Sequence, residues 1–222
     1  MNLTPVILLG ASGHAKVIID IFRRDAQHEV VGIIDATLPK ASTFYEIPIL
    51  GKDVDLIDIT KAYPNALYFI AVGDNWVRHR IYEKLIAAFA SITFANAIHP
   101  SASIAENVEL GQGIAVMAGA IINSASSIAD FAIINTKASI DHDGYIGKFA
   151  SIAPGATLGG KVNVGDFAAV SIGATVKHNT IIGQHALVGA GSVVVKDVSD
   201  FSISYGVPCR HIRFRKVGDP YL

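Results

Sequence analysis

From Ile98 to Val194 every sixth residue is Ile, Leu or Val, seventeen times in succession. These three types make up under a third of the chain, so the run is a structural period and not chance. A six-residue repeat of this kind is a signature of parallel β-helices, in which three hexapeptides close one triangular coil. Residue n then stacks on residue n+18, and one interior column is Ile98, Val116, Ile134, Ile152, Val170 and Val188. β-Branched side chains suit such a column because their few rotamers already match an extended backbone. Four residues after each aliphatic position the side chain is usually small, as at Ala120, Ala138, Ala156 and Ala174, where the corners leave little room. Gly often follows the aliphatic residue directly, as at Gly111, Gly147, Gly165 and Gly183. A helical solenoid would need repeats of about 34 to 40 residues and longer amphipathic stretches, and neither is present.

Before this run the pattern is different. Residues 6–9, 30–34 and 67–72 are short apolar runs, and Val17, Ile18, Ile21 and Phe22 recur at helical spacing. A further helix is predicted over 76–89, with Val77, Ile81, Leu85 and Ala88 on one face. Apolar strands separated by amphipathic helices indicate a parallel sheet covered on both faces. Residues 1–97 are too few for a complete dinucleotide fold, and about half of one fits. The predicted organisation is an α/β, half-Rossmann-like domain at 1–97, a parallel β-helix at 98–199 and a C-terminal tail at 200–222.

Composition closes off several classes of function. The formal net charge is −1, which gives no field to draw in nucleic acid or an anionic membrane. No apolar run approaches the roughly 18 residues needed to cross a bilayer, and the N-terminus has neither the basic region nor the apolar stretch of a signal peptide. Cys209 is the single cysteine, so neither an internal disulfide nor a paired-cysteine zinc site is expected. These readings point to a cytoplasmic chain with no membrane insertion and no metal. Lys196, Arg210, Arg213, Arg215 and Lys216 gather near the C-terminus, either as a solvated tail or as a patch for a phosphate-bearing ligand.

Asp141-His142-Asp143 breaks the monotony of the repeat by setting three polar groups on one edge. By the 18-residue rule His142 lies against Gly160, with His178 one coil further. A glycine there leaves space beside the imidazole and an accessible backbone N–H, which is what a general base with an oxyanion donor requires. A carboxylate at Asp143 or Asp141 is placed to fix the imidazole tautomer and raise its basicity. His178 and His185 lack an adjacent acid and read as surface residues or ligand contacts, and His28, His79 and His211 read as solvated.

In the N-terminal domain, Gly10-Ala11-Ser12-Gly13 follows a strand and precedes a helix. Glycines there let backbone N–H groups approach an anion at the positive end of the helix. Asp35, ending the next strand, is placed to accept hydrogen bonds from a ribose or a base. Gly73-Asp74-Asn75 ends the third strand at the same edge of the sheet. Ser12 and Ala15 stand where the dinucleotide fingerprint has its later glycines, so a nucleotide without a second mononucleotide half fits better than NAD.

Together these features resemble the sugar O-/N-acetyltransferase family of the NeuD/PglD type, hexapeptide-repeat acyltransferases. The resemblance rests on Gly10-Ala-Ser-Gly-His-Ala-Lys16, Ala71-Val-Gly-Asp-Asn75 with Arg78, Ile98-His-Pro-Ser101, Asn135-Thr136, Ile140-Asp-His-Asp143, Gly155-Ala-Thr-Leu-Gly-Gly160 and Gly206-Val-Pro208. It implies left-handed coiling of the β-helix, acetyl transfer from acetyl-CoA as co-substrate, and direct attack without an acyl-enzyme. His142 matches the catalytic base and Asp143 the acid that supports it, where many members have Glu. Ser12, Gly13, His14, Asp35 and Gly73 match contacts to a nucleotide-sugar, to which Gly10 and Asn75 are added from their motifs. Ala36 stands at a position often polar in relatives. Ser151 falls where some members carry a second histidine near the thioester, and Gly160 where a backbone N–H faces the thioester carbonyl. Ile172, Gly173 and Ala190 fall on the coils that contact coenzyme A. The resemblance further implies a homotrimer, and the absence of inserted loops in the repeat is consistent with a neighbour helping to close the site.

The expected activity is N-acetylation of the 4-amino group of a nucleotide-linked, UDP-type, 4-amino-4,6-dideoxy sugar in glycan biosynthesis. Two alternatives stay open at this point: O-acetylation of sialic acid or a related sugar, and a non-catalytic nucleotide-sugar-binding trimer.

Overall fold

The structure is a computed structural model and describes residues 3–89 and 92–219. The chain forms two compact units, Met1–Gly73 with Val77–Pro100, and Asp74–Trp76 with Ser101–Leu222.

The first unit runs β1 (Thr4–Leu9), α1 (Gly13–Arg24), β2 (His28–Ile34), β3 (Thr43–Phe44), β4 (Ile47–Gly51), α2 (Leu56–Ala62), β5 (Leu67–Ile70) and α3 (Asn75–Ala88), with the first two residues of α3 grouping with the second unit. The sheet order is β3-β4-β2-β1-β5, parallel except for β3. Strand order therefore reverses at β1, and the crevice beyond its carboxyl end is where open α/β sheets bind ligands. Val6, Ile7 and Leu8 are fully buried, as a strand covered on both faces requires. α1 buries Ala15, Ile18, Ile19, Ile21 and Phe22, whereas Val17 is 41% exposed.

The predicted face of α3 is corrected. Val77 and Ala88 are exposed, and the inward stripe runs through Arg78 and Leu85, each 1% exposed. A cation at a core position hid that stripe from a count of apolar residues. β4 and α2 escaped the sequence reading because both are short and Pro48 interrupts the apolar run of β4.

The second unit is the left-handed parallel β-helix, built of two-residue strands on three faces. Ile134 pairs with Ile152, Ile152 with Val170 and Val170 with Val188, each partner 18 residues further on. Val116 and these four are fully buried, and so are Ala120, Ala132, Ala138, Ala150, Ala156, Ala168, Ala174 and Ala186. The small residues thus point into the corners of the core.

Three residues after the aliphatic position the chain turns through positive φ, at non-glycine residues as well as at Gly113, Gly119, Gly155, Gly173 and Gly191. One such column is a ladder of rings: Phe131, Phe149, Phe167, His185 and Phe201 stack with centroids 4.6 to 5.4 Å apart. His185 is 9% exposed inside it, which overturns its reading as a surface residue. Beyond residue 199 the chain is more than a tail. Ser202–Tyr205 pairs parallel with Leu187–Val188, and Arg210–Phe214 adds antiparallel. Arg210 and Arg213 are exposed, while Arg215 is buried.

Candidate functional site

In the first unit the loop after β1 is held from both sides. Gly10 donates its N–H to the Ile34 carbonyl, and Ala71 donates to the Leu9 carbonyl. Gly10 has φ +99°, and a Cβ there would lie 2.8 Å from the Val72 side chain, so both conformation and space demand glycine. Ser12 occupies the N-cap of α1 without capping it, its hydroxyl donating instead toward the Ala71 carbonyl at 3.5 Å. The first-turn N–H groups are therefore not satisfied by their own cap, the condition under which a helix N-terminus receives an anion. A Cβ at Gly13 would meet nothing within 4 Å.

His14 follows. Its Nε2 is buried and has no hydrogen-bond partner. Burial, and then the charge of Arg78, push its pKa down from 6.5 to about 4, so the imidazole is neutral near pH 7. Arg78 donates to the carbonyls of Val72 and Gly73 at 3.1 and 2.9 Å, and so fixes the loop after β5. Gly73 packs against His14, a Cβ there lying 4.0 Å from it.

The structure thus gathers Gly10, Ser12, Gly13, His14, Asp35 and Gly73 at the carboxyl ends of β1, β2 and β5. Asp35 is differently employed from the sequence expectation. Its Oδ1 accepts from the N–H and hydroxyl of Thr37 and the N–H of Leu38, and its Oδ2 accepts from Ala11 N–H at 2.9 Å. Partial burial opposes ionisation, but these hydrogen bonds hold the carboxyl below its ordinary value. Asp35 organises the two loops around the crevice. Two histidines expected in solvent are engaged in this unit: His28 Nδ1 lies 2.5 Å from Asp25, and His79 lies 3.4 Å from Glu83.

In the second unit the candidate residues His142 and Asp143 sit at the corner at residues 141–144. His142 Nδ1 lies 2.7 Å from Asp143 Oδ2. With the carboxylate ionised, Nδ1–H is the donor and Nε2 keeps a lone pair. Asp143 reaches the ring because its backbone turns through φ 55°. A Cβ at Gly160 would lie 2.6 Å from His142 Nε2, so the imidazole occupies the space a side chain would need. Gly160 donates its N–H to no acceptor among the described residues. Asp141 does not bind the ring. Its Oδ1 accepts from His142 N–H at 2.8 Å and from the Asn123 amide at 3.0 Å. Those two bonds hold its carboxyl below the ordinary range.

Ser151, Ile172 and Ala190 line one depression of about 220 Å³ together with Ala153, Ala169 and Ser171. Ile172 is 62% exposed, and Gly173 turns at φ +64° with open space around it. Asn75, expected among the nucleotide-sugar contacts, is instead 2% exposed. Its Oδ1 accepts from the Ser151 hydroxyl at 2.6 Å, and its Nδ2 donates to the Phe167 and Ala168 carbonyls at 3.2 Å. An amide spent at both ends inside the second unit is a structural tie. Among the described residues no group of His, Cys, Asp and Glu could hold a metal ion, and no helix is long and apolar enough to cross a membrane.

Comparison with known proteins agrees with this layout. A family model described as the PglD N-terminal domain matches residues 5–85. PerB of Caulobacter crescentus, a perosamine N-acetyltransferase solved with CoA and GDP-perosamine, is 37% identical over 96% of this chain and 99% of that one, with a TM-score of 0.87. The chain belongs to the PglD-type sugar N-acetyltransferase family. Within that family, the acetyltransferase domain of Neisseria gonorrhoeae PglB, solved with acetyl coenzyme A, is 28% identical over 95% of this chain and all of that one, at TM-score 0.86. The UDP-N-acetylbacillosamine N-acetyltransferase of Bacillus subtilis is 34% identical over 116 residues, 51% of each chain. The chain spans at most about half the length of the curated relatives it matches, 24% and 51%.

Proposed function

We propose that the protein transfers an acetyl group from acetyl-CoA to the amino group of a nucleotide-linked amino sugar, with His142 as general base. The observation that carries the chemistry is the corner itself: an imidazole fixed by Asp143, its Nε2 set against a glycine whose N–H has no acceptor among the described residues. The neutral amine attacks the thioester carbonyl, forming the C–N bond as Nε2 of His142 takes the amine proton. The Gly160 N–H supports the oxyanion of the tetrahedral intermediate. Collapse breaks the C–S bond, and the proton leaves with the coenzyme A thiol. The crevice around Gly10, Ser12, Gly13 and His14 is assigned to the diphosphate of the acceptor. Ser151, Gly160, Ile172, Gly173 and Ala190 are assigned to acetyl-CoA, in a homotrimer.

Support for an acceptor carrying both a nucleotide and an amine comes from the relatives. The Caulobacter enzyme was solved with GDP-perosamine, and the Bacillus relative is named for a UDP sugar. The 4-amino position and the uridine nucleotide are the finer parts of this reading. They are tested by incubating the protein with acetyl-CoA and UDP-, GDP- and dTDP-linked amino sugars, with free sialic acid as a further arm, and following thiol release. Acetylation of sialic acid alone would replace this reading with the O-acetyl one, and no thiol release from any acceptor would remove it. His142→Ala should lower kcat by roughly 10²–10⁴. Gly160→Ala, which pushes a methyl into the imidazole, should act in the same direction. Near-normal turnover in His142→Ala sinks the base assignment.

A further inference from the structure

We propose that Asp141 is a positioning residue that fixes His142 through the main chain, a task separate from the hold Asp143 has on the ring. The proposal rests on His142 being the base of the reaction above.

Most backbone polar groups of this corner have an identified partner. Asp143 N–H donates to the Ser124 carbonyl at 3.0 Å, and Lys161 N–H donates to the His142 carbonyl at 2.8 Å. The Ser126 hydroxyl donates to the Asp141 carbonyl at 2.9 Å and accepts from Gly144 N–H at 3.1 Å. Ser126 is 1% exposed, so this bridge is a fixed point beneath the turn. That leaves the N–H of His142, and Asp141 Oδ1 is its acceptor. The same oxygen takes the amide of Asn123, one coil earlier, which prevents the carboxylate from rotating away. Remove the carboxylate and the 141–142 peptide keeps only the bond from the Ser126 hydroxyl to its carbonyl, and its N–H loses its acceptor. Tilting of that peptide about its remaining carbonyl bond carries the Cα–Cβ bond of His142 with it and moves Nε2 off Gly160. Asp143, which holds only the ring, cannot correct a displaced backbone.

What this role needs is an acceptor oxygen, not a charge. Asp141→Asn keeps a carbonyl oxygen at the position, whereas Asp141→Ala removes it. With acetyl-CoA and the best acceptor of the panel, Asp141→Ala should lose about 10- to 100-fold in kcat, the scale of a misplaced catalytic group. The KM for acetyl-CoA and the melting temperature should stay near those of wild type, and Asp141→Asn should recover most of the loss. Asn123→Ala, which frees the carboxylate without removing it, should lie between and serves if Asp141→Ala does not fold. In parallel, ¹⁵N-edited NMR of the His142 ring should show it shifted or broadened in Asp141→Ala and restored in Asp141→Asn. Wild-type kcat and an unchanged ring signal in Asp141→Ala would overturn the proposal, as would an Asp141→Asn as damaged as the alanine variant. If the wild type releases no thiol, the reading of the reaction fails, and the ring spectra alone still decide the role of Asp141.

Discussion

A histidine can be chosen for being neutral as well as for being charged. His14 sits behind an anion-receptive helix terminus, where a second positive charge would suit a phosphate, yet burial and Arg78 hold its pKa at about 4. The consequence is measurable. In the unfolded chain His14 takes up its proton near pH 6.5, while the folded protein refuses it until about pH 4. The unfolded state binds the extra proton in that window, so stability falls as pH drops from 6.5 toward 4 and is unaffected above. Between pH 7 and pH 5 the loss from this residue is about 2 kcal/mol. Urea unfolding at the two pH values should show that loss in wild type and a loss smaller by this amount in His14→Gln. Equal pH dependence in the two proteins would show that His14 titrates in the folded state like a surface histidine.

The elements were unequally legible. The β-helix could be read because its period is strict and each coil repeats the demand of the last, so Val116, Ile134, Ile152, Val170 and Val188 announce one buried column. The same 18-residue spacing sets His142 against Gly160, where the structure has it. What it missed lies at the positive-φ corners, where the aliphatic period is silent. Phe131, Phe149 and Phe167 do recur every 18 residues, and that spacing was the available signal for the ladder that takes in His185. Asn75 was expected at the ligand, and Arg78 was left off the inward face of its helix, because a polar residue with a buried role gives no apolar signal until its partners are known. The corners also carry a prediction. Lys137 turns at φ 56° in a column otherwise made of Gly119, Gly155, Gly173 and Gly191. An L-residue in this conformation costs roughly 1–2 kcal/mol, partly offset by the chain entropy glycine adds to the unfolded state. Lys137→Gly should therefore stabilise the protein by about 0.5–1 kcal/mol, seen as a raised melting temperature at fixed protein concentration. A lowered one would mean the lysine side chain contributes more than its strained backbone costs.

At the scale of the whole molecule, the question is what a coil of flat faces and tight corners can do alone. From Ser103 to Val194 the second unit consists of two-residue strands joined by corners, with no loop that could fold over a ligand. The depression beside Ile172 is therefore open, and Ile121, Tyr145, Ile172 and Ile181 are 43, 39, 62 and 53% exposed. Apolar side chains left outward on a regular surface are what a second copy would cover, and closed cyclic symmetry lets each copy supply the wall its neighbour lacks. We predict a trimer, with a solution mass three times the 23.5 kDa of the chain when measured by light scattering. Acetyl-CoA binding should then depend on assembly. If a neighbour supplies part of the pocket, calorimetric affinity should hold at concentrations where the trimer is intact and fall as dilution releases monomers. A monomer that binds acetyl-CoA at full strength would show that one β-helix makes the whole pocket and that the exposed isoleucines face some other partner.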